Sequence, residues 1–241
     1  PEATVFMGVP TLYVRMLAEP SLTKQQASHM RLFVAGSAPL LIETFKAWQD
    51  RTGHTILERY GMSETVMLTS NPYAADTRYS SQNERRGGTV GFPLPSVQLR
   101  VHSDDGVELP VGEIGGIQVK GPNVFSGYWR MPEKTKEEFT ADGFFKTGDV
   151  GKYDERGYVT IVGRSKDLII SGGYNVYPAE IEGVIAAHPA VEDVAVIGVP
   201  DEEFGESVKA LVQVAEGVTA SPEIAQAIIA HCRELLAGYK A

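Results

Sequence analysis

The sequence contains a single cysteine, Cys232, among 241 residues, so an internal disulfide is excluded. Such scarcity is typical of a reducing compartment, and we expect a cytoplasmic protein. No apolar run approaches the ~20 residues that span a bilayer, and no signal peptide is recognisable, which predicts no membrane insertion. The five histidines lack metal-ligand spacing, which argues against a zinc site.

Basic residues are also sparse. The chain has 22 Lys and Arg against 31 Asp and Glu, a formal net charge of -9, with no dense basic run. This balance argues against nucleic acid or an anionic membrane as the main partner, although a locally positive site can still bind a nucleotide. The length suits one large domain or two ordinary ones. Both ends interrupt patterned segments, and we expect the chain to be part of a longer protein.

The segment from Arg31 to Tyr60 has the pattern of a strand, a helix and a second strand. The apolar run Leu32–Ala35 is typical of a strand buried on both faces, and Thr55–Tyr60 forms the second strand. The helix between them ends at Gly53, and its apolar face follows i, i+4, i+7 spacing: Leu41, Phe45 and Trp48. These lengths predict a parallel βαβ unit.

Two short polar segments follow the predicted strands, namely Gly36-Ser37-Ala38 and Gly61-Met62-Ser63-Glu64. Parallel α/β sheets bind ligands beyond the carboxyl ends of their strands. We therefore expect the two segments to lie side by side and to form a binding site.

The sequence pattern changes twice in the rest of the chain. Alternating residues split by turns from Gly88 to Gly163 predict antiparallel β structure, and the polar stretch from Ala75 to Arg86 predicts a loop. A small α+β module follows, with helices that begin at Pro178 and Pro222. The second of these is capped by Ser221, and its apolar face is Ile224, Ile228, Cys232 and Leu235.

The predicted fold class is therefore α/β plus α+β. Residues 1–165 are expected to form part of a large α/β domain with an antiparallel β subdomain. Residues 166–241 are expected to form a small, mobile α+β domain, with the boundary near Lys166.

The turn from Tyr60 to Thr65 is the first candidate site. A glycine after a strand lets backbone N–H groups approach an anion, and the hydroxyls of Ser63 and Thr65 can donate to phosphate oxygens. Glu64 can hold a hard cation such as Mg²⁺. The structural alternative is a strand-to-helix turn with Ser63 as the cap.

Two further motifs carry polar groups that suit a nucleotide. Asp149, in Lys146–Gly151, is typical either of a structural Asx turn or of a carboxylate that accepts ribose hydroxyls. Arg164, in Gly163–Asp167, is typical either of a charged interdomain linker or of a guanidinium that binds phosphate or ribose. The linker reading and the binding reading of Arg164 are compatible.

These motifs occur in one order, and that order resembles the superfamily of acyl-CoA synthetases, adenylation domains and luciferases. The resemblance runs from Val5 to the end of the chain. Its markers are Gly36-Ser37-Ala38-Pro39-Leu40, Tyr60-Gly61-Met62-Ser63-Glu64-Thr65, Gly112-Glu113-Ile114-Gly115, Gly127-Tyr128-Trp129, Thr147-Gly148-Asp149 and Gly163-Arg164-Ser165-Lys166-Asp167 with Gly172-Gly173.

The resemblance implies a role for each matched residue. The residues expected to surround the adenine are Ser37, Ala38, Pro39, Glu58, Arg59, Tyr60, Gly61 and Met62, with Tyr60 against the base. Ser63 is expected to contact the α-phosphate, and Glu64 to coordinate Mg²⁺. Asp149 is expected to bind the ribose with help from Arg164. Lys166 is expected at the hinge of the small domain, and Gly172 and Gly173 along the channel for the pantetheine of coenzyme A.

The implied acid is malonate, or methylmalonate. The helix that opens at Gly8–Arg15 looks like that of malonyl-CoA synthetases, in which the arginine matching Arg15 pairs with the distal carboxylate of malonate. Ser37 is expected near the acyl group. From spacing alone, Arg15 is more typical of a solvated helix residue, and a synthetase for a fatty or aryl acid remains an alternative.

The resemblance also implies two steps, in which malonate and ATP give malonyl-AMP and the thiol of coenzyme A then displaces AMP. The family's triphosphate-binding loop is expected upstream of Pro1 and its adenylation lysine downstream of Ala241. We therefore expect this polypeptide alone to be inactive, which makes a non-catalytic nucleotide-binding fragment the alternative from another class.

Overall fold

The computed structural model describes residues 3–73 and 84–240, and the chain divides into two compact units, Pro1–Ile161 and Val162–Ala241. We call them unit 1 and unit 2 and describe each by itself. The division falls a few residues before Lys166. Most of the predicted loop from Ala75 to Arg86 lies outside the described residues.

Unit 1 begins with a five-stranded sheet in which strands are ordered as in the chain. The first three strands are parallel and the last two are antiparallel. These strands are β1 (Val5–Gly8), β2 (Leu32–Ala35), β3 (Leu57–Met62), β4 (Val66–Ser70) and β5 (Phe92–Pro93). The parallel pairing of β2 with β3 confirms the predicted βαβ unit.

Three helices precede or connect the parallel strands: α1 (Pro10–Leu17), α2 (Lys24–Ala27) and α3 (Ile42–Thr52). Tyr13 and Trp48 are fully buried with ring centroids 4.9 Å apart, and Tyr13 donates a hydrogen bond to the Val34 carbonyl oxygen. Leu41, predicted on the apolar face, is instead 40% exposed. The reason is that α3 begins at Ile42, so the extended backbone of Leu41 turns its side chain away from that face.

The predicted second strand, Thr55–Tyr60, is wrong at both ends, because β3 runs from Leu57 to Met62. β2 stops at Ala35, which pairs with Glu58, whereas β3 continues to Met62 and forms a hairpin with β4. Ser63-Glu64-Thr65 is therefore a hairpin turn, and the alternative of a strand-to-helix turn is excluded. Beyond the parallel pairing with β2, pairing with β4 keeps the backbone of β3 extended.

A second sheet in the chain is antiparallel, as predicted, and consists of β6 (Gln98–His102), β7 (Gly115–Lys120), β8 (Phe145–Tyr153) and β9 (Val159–Arg164). Its core joins Leu68 of β4 to Ile117, Val119 and Phe145. The helix α4 (Pro132–Glu138) was not predicted. Pro132 in its first turn and the Lys134–Glu138 pair were the available signals.

Unit 2 is the predicted α+β module. It contains β10 (Ile169–Ser171), β11 (Tyr174–Val176), α5 (Pro178–Ala186), β12 (Val191–Asp201), β13 (Gly205–Val214) and α6 (Pro222–Leu235), with sheet order β11-β10-β13-β12. Ser221 caps α6 through the Ile224 N–H, as predicted. Leu235 is 60% exposed rather than inward, because the extended residue that follows it, Leu236, packs on the core instead.

None of the described helices is long and apolar enough to cross a membrane. Cys232 is buried in the core of unit 2, as its spacing predicts.

Candidate functional site

The predicted site residues Tyr60 and Asp149 are in direct contact. The Tyr60 hydroxyl donates to Asp149 Oδ2 at 2.5 Å, although the two residues are 89 positions apart. Asp149 is only 6% exposed, so its carboxylate is held among protein groups. The fold therefore brings together two residues that the sequence analysis selected from separate motifs.

Asp149 reaches this position through a bulge in β8. Gln118 pairs with Lys146 and Gly116 pairs with Val150, so three residues of β8 oppose Ile117 alone. Gly148, the middle residue, has φ +75°, which favours glycine. Thr147 Oγ1 donates to the Ile117 carbonyl oxygen at 3.0 Å and accepts from the Asp149 N–H at 3.1 Å. Of the two alternatives offered by the sequence, the structural Asx turn is therefore not formed, and a strand bulge directs the carboxylate instead.

Gly61 is required by space in the β3–β4 hairpin. A Cβ at this position would lie 1.8 Å from the carbonyl oxygen of Val66. Val66 itself has φ +55°, a conformation that strains a β-branched residue. The hairpin that carries Glu64 is therefore tightly closed.

Within the turn, the three polar side chains differ in accessibility. Ser63 is exposed and Glu64 is half-buried, so both are accessible to a ligand. Thr65 is fully buried, and its Oγ1 accepts a hydrogen bond from the Met62 N–H at 3.3 Å. The Thr65 oxygen thus accepts a hydrogen bond within the turn, and of the two hydroxyls that the sequence offers to a phosphate only that of Ser63 is exposed.

Glu64 has a partner that the sequence analysis missed. The Tyr128 hydroxyl donates to Glu64 Oε1 at 3.0 Å, and the Phe125 N–H donates to the Glu64 carbonyl oxygen at 2.7 Å. Burial and the neighbouring Glu64 raise the pKa of Tyr128 to about 12, so the phenol stays protonated at neutral pH. Only the marker Gly127-Tyr128-Trp129 pointed to this segment, and it carried no chemical assignment.

The donors of this turn fit Mg²⁺. Magnesium prefers oxygen ligands and is usually held by one or two carboxylates together with substrate phosphates. The described residues contain no group of three or more His, Cys, Asp or Glu side chains that would form a complete protein cage. A single carboxylate, that of Glu64, is what such a shared site requires.

The carboxyl end of β2 lies against Arg59 of β3, two residues before the segment Gly61-Met62-Ser63-Glu64 that was expected beside it. A Cβ on Gly36 would be 3.1 Å from the Arg59 carbonyl oxygen, so the two backbones are in close contact. Ser37 follows with φ +68°, and Ser37, Ala38 and Pro39 are all exposed. Their exposure leaves them accessible to a ligand.

Two ionisable residues of β3, the buried Glu58 and the half-buried Arg59, each have a buried polar atom without a hydrogen-bond partner among the described residues. Burial raises the pKa of Glu58 to about 8, opposed by a backbone hydrogen bond from Gly88, and Glu58 Oε2 has no partner among the described residues. Arg59 Nε is likewise buried and without a described partner, while its Nη2 lies 3.3 Å from Met7 Sδ at the end of β1. Both groups retain unused hydrogen-bonding capacity.

Arg15 lies on the exposed side of α1, opposite to Tyr13. Among the described residues, no hydrogen bond or ion pair involves its guanidinium, so it is available to bind an anion.

The remaining predicted residues belong to unit 2 or to its start. Arg164 ends β9, and Lys166 lies in a 3₁₀ turn, Ser165–Asp167; both are exposed. Gly172 and Gly173 form the β10–β11 turn with φ +56° and +83°, and the Gly172 N–H donates to the Phe204 carbonyl oxygen. An apolar groove of about 640 Å³ between β13 and α6 is lined by none of the predicted site residues.

Comparison with known proteins identifies the family. The model for AMP-binding enzymes matches residues 2–129, and the model for the AMP-binding enzyme C-terminal domain matches residues 180–241. Malonate–CoA ligase of Arabidopsis thaliana is 42% identical over 87% of this chain and 34% of its own length. A long-chain-fatty-acid–CoA ligase of Yersinia pestis is 40% identical over 98% of this chain and 40% of its own length.

Among solved structures, ATP-bound MatB from Rhodopseudomonas palustris superposes with a TM-score of 0.91 at 56% identity. The alignment covers 99% of this chain and 46% of that structure, so the chain spans less than half the length of the relatives it matches. On the match to residues 2–129, more than half of its length, the chain belongs to the AMP-binding enzyme family.

Proposed function

We propose that the full-length protein carrying this chain activates malonate, with methylmalonate as a second acid, to its coenzyme A thioester at the expense of ATP. The acid's carboxylate attacks the α-phosphate of ATP, which gives malonyl-AMP and releases pyrophosphate. The thiol of coenzyme A then attacks the acyl carbon and displaces AMP. The observation that carries the proposal is the Tyr60–Asp149 hydrogen bond beside the Glu64 turn.

That contact supports a nucleotide site because it joins an aromatic ring to a buried carboxylate. The ring of Tyr60 can stack on a base, while Asp149 can accept hydrogen bonds from ribose hydroxyls. Ser37, Ala38 and Pro39 are exposed at the neighbouring strand end, where they can form the wall of the adenine pocket. Glu58, with its unpartnered Oε2, offers this pocket a further polar group.

For the first step, the chain supplies groups around the α-phosphate. Ser63 is an exposed donor, and Glu64 would hold Mg²⁺, which supplies positive charge to the phosphates. Arg164 assists at the ribose. For the second step, Lys166 serves as the hinge of the small domain, and Gly172 and Gly173 line the pantetheine channel.

The acid is assigned from two arginines, Arg15 on α1 and Arg59 on β3. Arg15 has an exposed guanidinium, and Arg59 has a buried Nε without a described partner. A guanidinium suits a carboxylate because it donates two parallel hydrogen bonds. The likeness to malonate–CoA ligase and to MatB supports a dicarboxylic acid.

The test is ATP–pyrophosphate exchange by the full-length protein with mono- and dicarboxylic acids, comparing Arg15→Gln with the wild type. We expect Arg15→Gln to lower kcat/KM for malonate about 100-fold, because one partner of a charged hydrogen bond is lost. Exchange with propionate should be unchanged, since propionate has no distal carboxylate. Arg51→Gln, an exposed arginine on α3, is the matched control and should behave as the wild type. If kcat/KM for malonate were unchanged in Arg15→Gln, the assignment of malonate as the substrate would be refuted.

A second candidate is the activation of a fatty acid, favoured by the 40% identity to the long-chain-fatty-acid–CoA ligase. The same panel separates the two. A fatty-acid enzyme would prefer octanoate to malonate, and Arg15→Gln would then leave its preferred acid unaffected.

A further inference from the structure

The turn that carries Glu64 is held by one segment of the chain, Gly121–Tyr128, which we call the clamp segment. Asn123 Nδ2 donates to the carbonyl oxygens of Thr65 and Met67 at 2.8 and 2.9 Å. The Phe125 N–H donates to the Glu64 carbonyl oxygen at 2.7 Å. The backbone on both sides of the Glu64 side chain is thereby fixed.

Tyr128 extends this restraint to the carboxylate itself. Its hydroxyl donates to Glu64 Oε1 at 3.0 Å, and no described residue hydrogen-bonds to Oε2. The ring of Tyr128 is held in turn, because it packs edge-on against Phe125 with centroids 4.9 Å apart. Its backbone N–H donates to Thr135 Oγ1 at 2.9 Å, which ties it to α4. One carboxylate oxygen is therefore fixed while the other stays available.

We propose that Tyr128 is a positioning residue that orients the Glu64 carboxylate so that Oε2 is presented to Mg²⁺. The inference rests on the proposed function, in which Glu64 holds the metal. Mg²⁺ tolerates little departure from octahedral geometry, so a freely rotating carboxylate binds it less well. Hydrogen-bonded partners of metal ligands commonly contribute 10- to 100-fold to metal affinity or activity.

The test is Tyr128→Phe in the full-length protein, which removes the hydroxyl and keeps the ring packing against Phe125. Calorimetric titration of Mg²⁺ into protein saturated with a non-reactive ATP analogue should show about 10-fold weaker binding. In pyrophosphate exchange, the Mg²⁺ concentration for half-maximal rate should rise by the same factor, while the rate at saturating Mg²⁺ is largely retained. A merely structural role would lower the thermal midpoint without changing the Mg²⁺ dependence.

The matched control is Tyr153→Phe. Tyr153 also lies in unit 1 and donates its hydroxyl to a carbonyl oxygen, that of Leu99 at 2.7 Å, away from Glu64. We expect this variant to lose some stability and to keep the wild-type Mg²⁺ dependence. Equal Mg²⁺ affinities for Tyr128→Phe and the wild type would overturn the assignment.

Glu64→Gln separates the two proposals. If Tyr128 acts through Glu64, Tyr128→Phe should have no further effect on Mg²⁺ affinity in the Glu64→Gln background. A full additional loss there would mean that Tyr128 acts independently of Glu64 and would refute the positioning role alone. Wild-type Mg²⁺ affinity and exchange in Glu64→Gln would instead refute the metal role on which both proposals depend.

Discussion

Two glycines that the sequence analysis selected, one in each unit, lie in β-hairpins. They are required for different structural reasons. In unit 1, Gly61 faces the carbonyl oxygen of Val66, and its hairpin is bound by the clamp segment. In unit 2, Gly173 has nothing within 4 Å of its missing Cβ, and the next residue, Tyr174, is 57% exposed. Gly61 is required because a Cβ would clash with the backbone of Val66. Gly173 is favoured only because its φ is positive. Unit 1 therefore presents Glu64 on a tightly closed hairpin, and unit 2 presents groups on an open turn.

The largest effect is expected from alanine at these two glycines. Gly61→Ala places a Cβ 1.8 Å from backbone oxygen, so the strands must separate, and we expect a loss of more than about 4 kcal/mol in the free energy of unfolding. Gly173→Ala meets no atom and should cost only about 1 kcal/mol, for its φ of +83°. Urea denaturation of both variants measures the difference. Equal losses would abolish the distinction between the two hairpins.

The second largest effect is expected from the buried carboxyl group of Glu58 in unit 1, which is compared with a partly exposed carboxylate in unit 2. The pKa of Glu58 is raised by burial to about 8, so the folded protein binds its proton more tightly than the unfolded chain does. The stability from this group is complete below the ordinary carboxyl pKa of 4.5 and is lost as pH rises through about 8. We expect Glu58→Gln to remove that loss and to be a few kcal/mol more stable than the wild type at pH 9.

Urea denaturation at pH 5, 7 and 9 measures the Glu58 effect. Glu180→Gln in unit 2 is the control, because Glu180 is partly exposed and pairs with Lys240 at 2.6 Å. Exposed ion pairs contribute at most about 1 kcal/mol, so the pH dependence should stay that of the wild type. Parallel pH profiles for the wild type and Glu58→Gln would contradict a raised pKa.

The smallest effect is a gain in stability from relieving strain at Val66. This residue is 69% exposed, so replacing its side chain by glycine loses little burial, while its φ of +55° ceases to be strained. We expect Val66→Gly to raise the free energy of unfolding by about 1 kcal/mol. Val107→Gly is the control, because Val107 is 63% exposed without a positive φ and should lose about 0.5 to 1 kcal/mol. A loss at Val66 would show that the hairpin is unstrained.

Most of the fold could be predicted because its elements follow local patterns. The apolar run Leu32–Ala35 and the Ser221 cap of α6 were predicted from neighbouring residues alone, and the structure confirms them. One error lies where another strand decides, because β3 continues to Met62 through its pairing with β4. Another is a helix boundary, because Leu41 is exposed where α3 begins only at Ile42.

The candidate site shows the same division. The residue types in the motifs around Tyr60 and Asp149 pointed to nucleotide chemistry, and the fold places these two residues in contact. No local pattern indicated that Thr65 is buried or that Asp149 lies in a bulge, since both depend on pairing with other strands. The partner of Glu64 was missed for the same reason, as Tyr128 is 64 positions away.

The sequence by itself determined the family resemblance, the βαβ unit from Arg31 to Tyr60 and the motifs that carry the polar residues, because residue type and order are enough to specify them. Only the tertiary structure decided which oxygen of Glu64 is fixed, which hydroxyl is taken by the turn, and why Gly61 permits no side chain. These are distances between atoms far apart in the chain, and they are set by the pairing of strands that no local pattern encodes.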